Sequence, residues 1–275
     1  MLSGGGNNNM THSESGTSNM RLAVLIDAEN VPRNCIKSVM EEIAVYGTPT
    51  IKRIYGDWTS PMIAGWKSSL LENAITPIQQ YSYTQGKNSS DSAMIIDAMD
   101  ILYTEKTDGF VIVSSDSDFT RLAIRLREAG QRVIGIGERK TPSAFIAACD
   151  KFTYIEVIHG GAEDGRAEQE GSEQKPQVNA RGKRRNGRPQ GTKVPDEVVG
   201  LIADSIADLA GDSGSVFMGE LGNLILKKRP DFDHRSFGYM SLSSMVKSID
   251  RFETEFRQTT DPNIKHVFVR DREAT

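Results

Sequence analysis

Two short apolar runs, each followed within three residues by an aspartate, constrain this chain most. Phe110 to Val113 is followed by Ser114, Ser115, Asp116, Ser117 and Asp118. β-Branched and aromatic residues favour a pleated, packed surface, so the run reads as a short buried strand. Phe119, Leu122, Ala123 and Leu126 then recur at helical spacing, with Gly130 as the stop. Arg21 to Asn30 repeats the logic: Leu22 to Ile26 are apolar throughout, Asp27 ends the run, and Glu29 and Asn30 follow. A continuous apolar run is what a parallel-sheet strand covered on both faces requires. Both aspartates thus fall at the carboxyl end of a strand, where open α/β sheets place their ligand sites.

The rest of the first 159 residues keeps the same alternation. Pro32 opens a helix running to about Tyr46, and Asp27 or Asn30 has the bland role of capping it as an alternative. Strands follow at 50–58 and 75–81, with a helix at 61–73 between them. Trp58 and Trp66 fit core or rim positions better than base stacking. A polar loop, Gly86 to Asp91, enters a helix carrying Met94, Ile95, Ala98 and Leu102 at helical spacing. Asp91 is in its first turn, where a carboxylate complements the helix dipole. Asp97 lies six residues further, about 600° of helix rotation, so it sits about 120° from Asp91 and faces either sheet or solvent. Strands at 132–137 and 152–158 flank a helix at 142–149. Gly135 and Gly137 lack the rest of a dinucleotide or phosphate-loop fingerprint. This β-α order predicts one doubly wound, mostly parallel α/β domain over 20–159.

Beyond it the composition changes. Residues 1–19 are rich in Gly, Asn, Ser and Thr and read as a disordered tail. Residues 160–193 read as a flexible linker whose basic end carries Arg181, Lys183, Arg184, Arg185, Arg188 and Lys193 without an acid. Such a block is an ordinary solvated linker or a weak phosphate binder. Residues 194–271 hold three amphipathic helices followed by two alternating strands, the pattern of a small winged helix-turn-helix domain.

Charge and cysteine content narrow the function. The net charge of −4 gives no whole-chain nucleic-acid signal. Residues 20–159 carry 15 Lys+Arg against 17 Asp+Glu, and residues 194–275 carry 10 against 14. Cys35 and Cys149 form no metal-ligand or disulfide pattern and read as reduced core thiols. No apolar run reaches the roughly 18 residues that span a bilayer. No signal-peptide pattern opens the chain, so a cytoplasmic location is expected. His12, His159, His234 and His266 show no ligand spacing.

On a doubly wound sheet, Asp27, Asp91, Asp116 and Asp118 gather at strand ends and helix starts along one edge. Four acids there repel one another unless a cation stands between them. Mg²⁺ or Mn²⁺ suits such oxygen donors and the cleavage of a phosphodiester.

The segments around Asp27 and Asn30, around Lys87, Asp91 and Asp97, and Ser114 to Phe119 resemble the NYN domain family, a PIN-like nuclease fold. Residues 216–242, with Gly219, Pro230, Phe237, Gly238 and Tyr239, resemble the OST-HTH/LOTUS domain, a winged-helix module linked to RNA binding. The resemblance implies a metal-dependent endoribonuclease with an RNA-binding or tethering module. It implies metal binding by Asp27, Asp91, Asp116 and Asp118, with Asn30 as a supporting polar contact. Lys87, Asp97 and Ser115 join Asn30 as supporting or substrate-contacting candidates. The implied partners are RNA and proteins bound through the LOTUS domain, with a homodimer as one option and no membrane.

Two other readings compete. One is an RNA-binding or protein adaptor whose acids are structural, with the second domain and Arg181 to Arg188 as its working part. The other is a phosphatase, because Asp116, Asp118 and Thr120 fit the Asp-x-Asp-x-Thr string of haloacid-dehalogenase-like enzymes. That string normally opens its domain, whereas strands precede it here.

Overall fold

The computed structural model describes residues 20–81, 89–163, 193–211, 214–258 and 265–274. The first unit runs β1 (Arg21–Asp27), α1 (Ile36–Tyr46), β2 (Thr48–Gly56), α2 (Lys67–Asn73), β3 (Thr76–Gln79), α3 (Ser89–Thr104), β4 (Gly109–Val113), α4 (Thr120–Glu128), β5 (Arg132–Gly137), α5 (Ser143–Ala148), β6 (Lys151–Tyr154) and α6 (Ile155–Glu163). Its six strands pair parallel in the order β3-β2-β1-β4-β5-β6. This is the doubly wound, PIN-like α/β fold expected from the strand-helix alternation.

The apolar runs are continuous because each strand feeds two cores. Leu22, Val24 and Ile26 pack with Val39, Ile43 and Ile54 on one face of the sheet. Ala23 and Leu25 pack with Met94, Phe110, Ile112 and Leu126 on the other. Successive side chains of a strand alternate between faces, so two buried faces require an unbroken apolar run. Strand order reverses between β1 and β4, and the crevice opens at that point beyond their carboxyl ends.

Several elements depart from the sequence-based expectation. The strand at 152–158 ends at Tyr154, and the chain turns into α6 at Ile155. Ile155 joins the first core and Ile158 packs against it, an i, i+3 pair on one helical face, although the β-branched Ile155, Val157 and Ile158 favour a strand locally. Residues 160–163 therefore lie in a helix, not a linker. The helix after Pro32 begins with a 3₁₀ turn at Arg33–Cys35, and the one after Pro61 with a 3₁₀ turn at Pro61–Trp66. Trp66 is buried in the core and Trp58 packs against it. Cys35 and Cys149 are free and buried, and burial pushes their thiols up to about 11 and about 12. Thiols that stay protonated at neutral pH are inert core groups.

The second unit runs α7 (Asp196–Leu209), β7 (Val216–Phe217), α8 (Met218–Lys228), α9 (Leu242–Lys247), β8 (Phe252–Gln258) and β9 (Lys265–Asp271). The antiparallel sheet β7-β9-β8 closes a small core of Ile202, Leu221, Ile225, Met245 and Val269. Three helices with a terminal hairpin make a winged helix, and β7 is a strand too short for periodicity to reveal. Phe232 is buried in that core, while Phe237 and Tyr239 pack against it. No helix among the described residues is long and apolar enough to cross a membrane.

The glycines of β5 have a packing reason in place of a nucleotide-binding one. A Cβ on Gly135 would stand 2.5 Å from the Phe152 ring and 2.8 Å from Cys149 Sγ. One on Gly137 would stand 2.5 Å from the Ser114 carbonyl oxygen. The close approach of the Ser114 carbonyl at Gly137 fixes where β4 ends relative to β5. We expect Gly135→Ala to destabilise the fold by about 1–3 kcal/mol, as overpacking does. A urea melt should show a lower midpoint at unchanged slope; a parental midpoint would mean that Phe152 yields freely.

Candidate metal centre

The parallel register of β1 on β4 builds the site. Ile26 pairs with Val113, so the residues just beyond, Asp27 and Ser114, meet across the crevice. Ser114 Oγ donates to Asp27 Oδ2 at 2.9 Å. Asn30 Nδ2 donates to the same oxygen at 2.7 Å. The backbone N–H groups of Glu29 and Asn30 donate to Oδ1 at 3.0 and 3.3 Å. Four donors hold Asp27, only 2% exposed, in one orientation. It tethers the turn after β1; α1 itself has no side-chain cap.

Ser114 also accepts from the Asp116 backbone N–H at 3.1 Å. Asp116 in turn caps the 3₁₀ turn Ser117–Phe119, its Oδ1 accepting from Asp118 N at 2.9 Å. Phe119, fully buried, anchors that turn in the core. Ser115 Oγ accepts from Glu138 N at 2.8 Å and so ties the ends of β4 and β5 together. From the other side of the crevice, α3 contributes Asp91 in its first turn.

Ligand atoms of Asp91, Asp116 and Asp118 all lie within 4.8 Å of one another. Asp91 is buried, Asp116 half-buried and Asp118 exposed, so the cluster runs from the crevice floor to its mouth. Asp27 lies outside this trio but acts on it electrostatically. Burial, then the charges of Asp27, Asp116, Asp118 and Glu29, push the Asp91 carboxyl up to about 7. Glu29 is a contributor that sequence patterning does not flag. Three crowded carboxylates of this kind match the hard oxygen donors that Mg²⁺ or Mn²⁺ prefers, and a divalent ion would relieve their repulsion.

The other sequence candidates are placed as follows. Asn30 supports Asp27, and Ser115 supports the β4–β5 junction. Asp97 is not brought to the cluster: it pairs with Arg53 and hydrogen-bonds Tyr55 of β2, tying α3 to the sheet. Lys87, Arg181, Lys183, Arg184, Arg185 and Arg188 lie outside the described residues. Ser114, which links Asp27 to Asp116, is missed by sequence reasoning. Its only signal is its place as the first polar residue after the β4 run.

A parallel α/β sheet with an acid-lined crevice at its switch point, joined to a winged helix, defines a PIN-like nuclease fold with an attached winged-helix module. Residues 21–156 match the model of the NYN domain, and residues 192–264 match that of the OST-HTH/LOTUS domain. The chain is thus an NYN-domain protein carrying an OST-HTH/LOTUS domain, an RNA-binding module. Among solved structures, it is similar to a crystal structure of a protein of unknown function from Vibrio parahaemolyticus. That match has 20% identity, covers 51% of this chain and 95% of the other, and has a TM-score of 0.43. It is also similar to a solution structure of an uncharacterized protein from Nitrosomonas europaea, with 27% identity, 40% and 95% coverage and a TM-score of 0.27. No curated protein matches the sequence.

The raised Asp91 carboxyl predicts a pH-dependent cost. An ordinary aspartate titrates near ~3.9. The neutral form is favoured in the fold, so its contribution is complete below about 4 and lost as pH rises through about 7. In EDTA at pH 8, Asp91→Asn should therefore melt higher than the parent, by about 2–6 °C. The gap should close toward pH 4. A difference that does not vary with pH would show that another group carries the charge.

Proposed function

We propose that this chain is a divalent-cation-dependent endoribonuclease. The acid cluster of Asp91, Asp116 and Asp118 at the switch-point crevice carries the reading. The NYN domain supplies the nuclease fold, and the OST-HTH/LOTUS domain argues for RNA as the substrate class.

In this reading Asp91, Asp116 and Asp118 hold Mg²⁺ or Mn²⁺, and Asp27 adds negative charge from behind. A bound cation neutralises charge on the phosphodiester and lowers the pKa of water, the two things hydrolysis at neutral pH lacks. The reaction forms a bond between a water oxygen and phosphorus and breaks the bond to the leaving ester oxygen, which takes up a proton. Asp27, fixed by four donors, keeps the crevice floor from relaxing as charge builds up. Asp91 titrates near neutrality and must lose its proton for a cation to bind, so cation affinity should fall below about pH 7. Against the phosphatase string, which normally opens its domain, β1, β2 and β3 all precede it here.

Labelled single-stranded RNA, incubated with Mn²⁺, Mg²⁺ or EDTA, tests the reading. Cleavage should need the cation and fall on the order of 100-fold or more in Asp116→Asn. Circular dichroism should show that variant folded, because the β4 core is untouched. A folded parent that binds RNA but never cuts it would leave the adaptor reading, with the acids serving architecture alone.

A further inference from the structure

The winged helix meets the α/β domain through buried charges. Glu42 on α1 is 8% exposed, Asp233 7%, and Lys151 at the start of β6 8%. Arg235 spans the junction. Its two terminal nitrogens donate to Glu42 Oε2 and Oε1 at 2.8 and 2.7 Å, a two-pronged pair. Its Nε and a terminal nitrogen donate to Asp233 at 3.0 and 2.7 Å. The Tyr46 hydroxyl donates to Glu42 Oε1 at 2.7 Å.

A second row of contacts runs beside this one. Lys151 Nζ donates to the Phe232 carbonyl at 3.0 Å. Phe152 N donates to the Pro230 carbonyl at 2.9 Å, and the Tyr154 hydroxyl donates to Asp231 at 2.8 Å. Residues 230–232 therefore lie along β6, the end strand of the sheet, and cover an edge that would otherwise be open.

A loosely tethered pair of domains meets through a solvated polar surface. Here Arg235 matches both buried carboxylates, while Lys151 rests on the Phe232 carbonyl and burial pushes its ammonium below its usual range. Burial pushes Glu42 and Asp233 up, yet the hydrogen bonds and charge of Arg235, joined by the Tyr46 hydroxyl at Glu42 and the Lys151 charge at Asp233, together hold both carboxyls below their usual range. A fully hydrogen-bonded ion pair with a planar fork is the case in which burial is compensated, and its geometry tolerates one orientation. β6 is separated from β4 only by β5, which puts β6 about 10 Å from the acid-bearing strand and residues 230–232 beyond its outer edge.

We propose that Arg235 is a positioning residue: its fork on Glu42 locks the winged helix and the α/β domain into one rigid body, so RNA held by the winged helix is cut at a set distance from where it is held. The cutting half rests on the ribonuclease reading; the rigid docking does not.

Spin labels on cysteines placed at exposed Glu72 and Arg272 of the full chain report the docking by pulsed electron spin resonance, whether or not RNA is cut. The parent should give one narrow distance. Arg235→Ala should give a broad one. Glu42→Ala should do the same while leaving the Arg235–Asp233 pair intact, which guards against a misfolded winged helix. Arg235→Lys should restore part of the narrow population. On a long RNA with one site for the winged helix, the parent should cut at fixed spacing and Glu42→Ala at scattered positions. A broad distance in the parent, or narrow distances in both alanine variants, overturns the clamp. Narrow-to-broad behaviour without cleavage by any form keeps the clamp and sinks only the ribonuclease reading. Broadened distances with unchanged cut positions overturn the fixed-distance claim.

Discussion

Parallel pairing of β1 with β4 is the constraint on which this molecule depends. It joins the two halves of the sheet at the place where strand order reverses. Everything at the crevice follows from that register. Asp27 and Ser114 meet because Ile26 and Val113 are partners, and Ser114 then orients the Asp116 backbone. Shifting either strand by one residue would turn its whole apolar set onto the opposite core and separate this pair. The register is pinned on the far side as well, where Gly137 lets β5 approach the Ser114 carbonyl closely.

The acids around that junction are treated unequally. Asp27 accepts four hydrogen bonds and is satisfied where it stands. Asp91 is nearly as buried, and the strongest charges acting on it are all carboxylates. An apolar replacement would pack there at lower cost, since a buried charge without a counter-charge is expensive. A residue that keeps such a cost at a ligand-binding edge is a functional-site signal with a physical basis. Asp97 is the internal control. It lies on the same helix six residues away, yet Arg53 and Tyr55 neutralise it.

Much of this was legible in the chain. Apolar runs four or five residues long, with an aspartate at once or after two serines, mark strand ends directly, so the places of Asp27, Asp116 and Asp118 were readable. Asp91 was readable from a polar loop feeding a helical period. The partner of Asp97 was not, because it depends on the neighbouring strand β2, whose Arg53 and Tyr55 look like ordinary strand residues. The end of β6 was not, because the β-branched Ile155, Val157 and Ile158 continue the strand's composition into α6. Arg235 and Glu42 lie 193 positions apart, and no local pattern links them. The winged helix itself was visible as three amphipathic helices and an alternating hairpin. Its seat on the sheet is decided by long-range charge matching, which leaves no periodic trace.

The two charge clusters also explain each other's placement. At the carboxyl ends of β1 and β4, carboxylates crowd around the buried Asp91, which weakens the fold there. Along α1 and β6, opposite charges are packed with full hydrogen bonding, which adds orientation at little net cost. Both lie on one sheet, and a close-packed sheet transmits position with little compliance. An acid cluster gains nothing from a loosely held RNA, because its chemistry needs the phosphate within a fraction of an ångström. On the proposed reading, rigid seating of the winged helix along β6 is the arrangement that would turn RNA binding on one domain into positioning on the other.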